Sequence, residues 1–111
     1  MKIVRSAEIP EEGVSHNPEI LKRVIIRKNE LPHLTNLSMS SFKPGQITEA
    51  HAHEDMAEVF LITAGTGCII VGGKKIPLEV GSCAIVEPGE THQLANYGND
   101  SFDLIYFGVE V

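Results

Sequence analysis

The sequence predicts an all-β barrel, and three observations predict it. Short apolar and β-branched runs alternate with turn residues from residue 21 to the end. No stretch after residue 34 carries a helical period. The turn residues themselves, Pro44-Gly45, Gly65-Thr66-Gly67, Gly72-Gly73, Gly81, Pro88-Gly89 and Gly98-Asn99-Asp100, recur at short intervals, as they do in sandwiches and barrels of many short strands.

Taken in order, residues 8 to 20 read as an irregular arm because Pro10, Gly13 and Pro18 interrupt them, with a short helical turn open near Pro18 to Leu21. Strands follow over 21–28, 34–43, 50–53, 57–63, 67–72, 74–79, 82–86, 92–96 and 102–109. The clearest hairpin is Cys68 to Ile76, where Gly72-Gly73 suits the mirror-image turn that strand twist prefers. The resulting division is an N-terminal arm, 1–20, and a single barrel domain, 21–111.

A chain of 111 residues makes one domain, with 42% hydrophobic residues to build one core. The net charge of -6 argues against a nucleic-acid surface, which needs a basic patch. The basic residues cluster at Lys22, Arg23, Arg27 and Lys28, a solvated face in the simplest reading. The functional reading turns one of them into a pocket toward an anionic ligand, and the shared parity of Arg23 and Arg27 makes them the candidates. No apolar run of signal-peptide or membrane-span length is present. Cys68 and Cys83, without CxxC spacing, read as buried free thiols of a reduced compartment, so no membrane association and a cytoplasmic location are expected.

The residues that carry chemistry are histidines and one carboxylate. His51 and His53 stand two apart, so on a strand both imidazoles share a face. Glu58 follows five residues later, and His92 opens a strand-like segment after Pro88-Gly89. Three imidazoles and a carboxylate suit borderline divalent metals, namely Mn, Fe, Co, Ni or Zn. Alone, each piece leaves a structural role equally open. His16 and His33, beside Pro18 and Pro32, read as surface loop residues, and Tyr97, Tyr106 and Met56 as packing.

The spacing ties the pieces together. Gly45 is followed after five residues by His51, Ala52 and His53, then Glu58 after four more and Gly65 after six. Gly81 is followed after five residues by Glu87, Pro88 and Gly89, then His92 after two and Asn96 after three. These two stretches, within residues 45 to 96, resemble the paired motifs of the cupin superfamily. Glu87 stands where that family usually has proline, and Ser82 where it often has an acid; neither position is a ligand there. The resemblance implies a double-stranded β-helix (jelly-roll) barrel holding one divalent metal through His51, His53, Glu58 and His92. It also implies a homodimer, with the arm crossing between subunits or folding back on its own barrel.

Four protein ligands on an octahedral ion leave two positions open, and such a site carries a residual charge of about +1 that favours carboxylates, enolates and vicinal oxygens. The expected function is therefore a metalloenzyme for a small oxygen-rich or carboxylated molecule, of dioxygenase, decarboxylase, isomerase or lyase type. The alternative is a small-ligand binding or sensing cupin without turnover; a metal-free scaffold fits the intact ligand set less well. One carboxylate among Glu49, Glu54 and Glu90 is the candidate general base or partner of a liganding imidazole, with Gln93, Asn96 and Thr48 also near in sequence.

Overall fold

Nine strands, each punctuated by the turn residues above, make two facing sheets in a computed structural model that describes all 111 residues. They are β1 (Glu12–Val14), β2 (Asn17–Ile26), β3 (Leu34–Phe42), β4 (Met56–Ala64), β5 (Gly67–Val71), β6 (Lys74–Leu78), β7 (Cys83–Val86), β8 (His92–Ala95) and β9 (Phe102–Glu110). A six-stranded sheet runs β1-β2-β3-β9-β4-β7, and a three-stranded sheet runs β6-β5-β8. The only helical element is a single 3-10 turn, Ser6–Glu8, so no helix is long and apolar enough to cross a membrane. A nearly all-β pair of sheets in this order is consistent with the expected jelly-roll barrel.

Alternation fixes which side chains face inward. Phe60 and Ile62 of β4, Phe102 and Leu104 of β9, Phe42 of β3, Ile20 of β2 and Val86 of β7 meet Ile69, Leu78 and Leu94 from the opposite sheet. Phe102, Ile20, Ile62 and Leu104 are almost wholly removed from water, and burying each such side chain contributes roughly 1.5–3 kcal/mol. The β5–β6 hairpin turns at Gly72 (φ 57°) and Gly73 (φ 78°), both left-handed, as a two-residue mirror-image turn requires.

Three expectations change. The stretch 50–53 is not a strand. Instead residues 45 to 51 run alongside β8 with lone bridges Ile47–Ala95 and His51–His92, the second closed by both backbone hydrogen bonds at 3.1 and 2.9 Å. The segment 8–20 is more regular than its prolines suggested. β1 pairs with β2, and β2 starts at Asn17 with no helical turn, because Pro18 sits where its missing N–H costs no ladder bond. Both cysteines are free, but only Cys68 is buried; Cys83 lies on the outer side of β7.

Candidate metal centre

The geometry of the site follows from where two turns release the chain. After β3, residues 45 to 51 lie against β8 and deliver His51 opposite His92. The Pro88-Gly89 turn then starts β8, with His92 its first residue and 1% exposed. β4 carries Glu58 inward, 8% exposed. Opposite Glu58 stands Gly108 of β9, where a Cβ would lie 2.6 Å from Met56 Sδ and closer still to Thr35 Oγ1. A side chain there would have to push Thr35 and Met56 aside, and Met56 is half-buried against it.

Four of the five imidazoles gather at this end of the barrel. Glu58 Oε1 lies 3.1 Å from His92 Nε2 and 3.4 Å from His53 Nε2. One nitrogen or oxygen each from His51, Glu58 and His92 falls within 4.8 Å of the others, a candidate metal-holding group. His53 joins that group through Glu58 and also forms a second group, at the same spacing, with His51 and His16. His16 is the residue the sequence reading missed. It lies in the β1–β2 turn, and its ring stacks on His51 with centroids 3.6 Å apart and planes 12° from parallel. His33 is, as expected, an exposed loop residue.

The tautomers are set by backbone and not by carboxylates. His51 Nδ1 lies 2.8 Å from the Glu49 carbonyl, and His92 Nδ1 lies 3.0 Å from the Glu90 carbonyl. An Nδ1–H donated to a carbonyl leaves the Nε2 lone pair free to bind a metal. The side chains of Glu49, Glu54 and Glu90 have other roles or none: Glu90 Oε1 accepts from the Glu87 N–H at 2.8 Å, and Glu54 sits beside Gly89. Gln93 donates to the Thr48 carbonyl, and Asn96 donates to the Phe42 and Asp100 carbonyls. Gln93 and Asn96 therefore hold the loops that present the imidazoles.

Electrostatics separates the histidines. Burial lowers His51 below the ordinary imidazole value, and burial then the neighbouring His53 lower His16. At His92 burial pulls down as well, but the hydrogen bonds to Glu58 and to the Glu90 carbonyl outweigh it, so its pKa rises. The lowered His51 value favours the neutral form that coordinates a metal, whereas the raised His92 value sets proton release against metal binding.

Beside these groups the barrel interior holds a cavity of about 140 Å³ bordered by His16, His51, His53, Glu58, Lys22 and Tyr106. That is well below the ~300–1,000 Å³ of drug-sized sites. Glu58 is its only carboxylate. Lys22, between buried Ile20 and Val24, is the inward cation. Arg23 and Arg27 are not, because they bind Ile9, Glu11 and Glu12 on the outside. The parity that pointed to Arg23 was off by one residue, and the bulge between Val24 and Ile26 removes Arg27 from any count. Burial pushes the Tyr106 phenol up to about 12, so it stays protonated. Tyr97 is exposed, with Lys75 over its ring.

Comparison with known proteins bears on this geometry. A family model described as "Cupin domain" matches residues 38–108. The chain is similar to an "Oxalate-binding protein" of Thermotoga maritima, at 27% identity over 108 residues, covering 93% of this chain and 89% of that one. In fold it is similar to a crystal structure described as a predicted oxalate decarboxylase, also from Thermotoga maritima, with TM-score 0.91, 23% identity and coverage of 99% and 100%. It is also similar to the polyketide cyclase RemF from Streptomyces resistomycificus, with TM-score 0.85, 18% identity and coverage of 98% and 79%.

Proposed function

The chain belongs to the cupin domain family, and from that premise we propose that His51, His53, Glu58 and His92 hold one divalent transition metal that takes a small carboxylate of the oxalate kind. The observation carrying the reading is that His53 Nε2 and His92 Nε2 both approach Glu58 Oε1, with His51 grouped beside them, while the Nδ1 atoms of His51 and His92 lie against backbone carbonyls. That arrangement fits a metal by the chemistry of its donors: two tautomers are preset, and a single buried carboxylate supplies the charge. A divalent ion there acts as a Lewis acid toward a coordinated carboxylate.

The chain's own residues favour an anion. Lys22 and His16 border the cavity, and no carboxylate but Glu58 does. The name of the Thermotoga maritima relative agrees with an anionic ligand. The cavity has room for one small acid. Metal-dependent turnover of that acid, by decarboxylation or an oxygen-using, isomerising or lyase reaction, is the first reading. Binding without turnover is the second. It is favoured by one observation: no carboxylate of Glu49, Glu54 or Glu90 borders the cavity to act as general base.

The test has two stages. Elemental analysis of protein purified without added metal gives the ion, and calorimetry of metal-loaded and chelated protein then measures oxalate binding. Binding that requires metal supports the site. Formation of formate and carbon dioxide, or oxygen uptake, assigns turnover. Absence of oxalate binding at any metal loading overturns the ligand class.

We further propose a two-fold homodimer through the outer face of the six-stranded sheet. Rows Ile85–Val59–Phe107–Leu37 and Cys83–Leu61–Ile105–Met39 cross it almost without charge. Ile85 is 69% exposed, Leu61 41% and Met39 40%. A contiguous apolar face of this kind invites a partner, and a second copy is the commonest one. Sedimentation tests it: a dimer that Leu61→Lys and Ile85→Lys together convert to monomer is the expected result, and a wild-type monomer contradicts it.

A further inference from the structure

His16 belongs to neither motif, yet the fold brings it to the metal centre. Its carbonyl accepts the Glu49 N–H at 2.9 Å, which pins the β1–β2 turn to the segment presenting His51. Its ring stacks on His51 at 3.6 Å and meets His53 edge-on at 5.7 Å. One of its nitrogens lies within 4.8 Å of donor atoms of both. It borders the cavity and is only half-buried.

Two roles suit an imidazole in that place: ligand to the ion, or contact to whatever the ion holds. Stacking decides between them. Ring lone pairs lie in the ring plane, so two nearly parallel rings keep theirs in two planes about one stacking distance apart. An ion at roughly 2.0–2.1 Å from the His51 nitrogen, on its lone pair, is off the line of the His16 nitrogen. His16, which borders the cavity, is thereby left free to contact a ligand that the ion would hold there.

We propose that His16 is a specificity-determining residue, donating a hydrogen bond from outside the coordination shell to the carboxylate oxygens of a metal-bound dicarboxylate. The proposal rests on the metal-carboxylate reading above. It predicts discrimination: a ligand with a second carboxylate reaches His16, and a monocarboxylate on the metal does not.

The experiment uses His16→Ala and His16→Gln in the full chain, with metal content, thermal melting and calorimetry against oxalate and acetate. The expected result is unchanged metal content in both variants. Oxalate affinity falls tenfold or more in His16→Ala, the usual scale for a hydrogen bond to a charged group. Acetate affinity changes by less than about threefold, because no hydrogen bond is lost, and His16→Gln, with its amide N–H, recovers part of the oxalate loss. Loss of the ion from His16→Ala overturns the proposal by making His16 a ligand. Oxalate binding equal to wild type in His16→Ala overturns it with the metal-carboxylate reading intact. A wild-type protein that carries metal and binds no oxalate overturns that reading, and this inference with it.

Discussion

Glu58→Gln separates the site from the scaffold because it acts with opposite sign on each. The Glu58 carboxylate is 8% exposed, and its Oε1 faces His92, 1% exposed, at 3.1 Å. In the metal-loaded protein the substitution removes the only anionic donor. Removing one partner of a buried charged pair costs about 3–5 kcal/mol. Glutamine keeps a carbonyl oxygen in place, so the lower end applies, or roughly a hundred-fold weaker metal binding at 1.4 kcal/mol per decade. In the metal-free protein at a pH where His92 is neutral, the same change removes a desolvated charge and leaves a neutral isostere, so stability is unchanged or slightly higher. The assay is a pair of melting curves, with excess chelator and with saturating metal, plus a chelator-competition titration. Wild type gains stability from metal as RT ln(1 + [L]/Kd), and at fixed free metal the variant loses about 2.7 kcal/mol of that gain. Metal affinity equal to wild type refutes the ligand assignment. A metal-free variant destabilised by several kcal/mol shows instead that Glu58 is a structural residue.

Other predictions follow from burial and contacts. In the metal-free chain, imidazole NMR should find His92 titrating above free histidine and His51 below it, from the shifts described above; Glu58→Gln should bring His92 below the free value, since burial then acts with one support fewer. The raised His92 value stabilises the metal-free fold below the ordinary imidazole pKa, and that contribution is lost as pH rises through the raised value. His51, lowered, works the other way, its contribution being lost as pH falls through about 6.5; a reversed order of the two titrations contradicts the geometry. Phe102→Ala, at a residue 0% exposed and packed edge-on to Phe42, should lower unfolding stability by about 3–5 kcal/mol, measured in urea. Gly108→Ala must push Thr35 and Met56 aside directly across from Glu58, with a stability loss of about 1–3 kcal/mol and weaker metal binding; an unchanged melt shows that the β4–β9 pair yields without cost.

What was legible in the sequence was local. The strands from β3 to β9 announce themselves because glycine and proline sit between apolar runs, and a Gly72-Gly73 turn dictates its hairpin without outside help. That Glu58 and His92 come together was readable from motif spacing alone. What was not legible depends on contacts between distant segments. β1 is three residues long and exists because Glu12 and Gly13 pair with Lys22 and Leu21. His16 has no local signal beyond its place in a turn; its position follows from a backbone hydrogen bond to Glu49, thirty-three residues on. The acceptors that orient His51 and His92 are peptide carbonyls, which any residue supplies, so searching for nearby carboxylates found the right positions, Glu49 and Glu90, and the wrong atoms.

The central claim is that imidazoles from the loop before β4 and from the start of β8 bind one cation together. Metal content per chain in wild type, His51→Ala and His33→Ala tests it most directly, because both histidines are accessible enough to be replaced without opening the core. One equivalent of a divalent transition metal in wild type and His33→Ala, with most of it lost from His51→Ala, is the predicted result. Equal occupancy in all three proteins contradicts the claim.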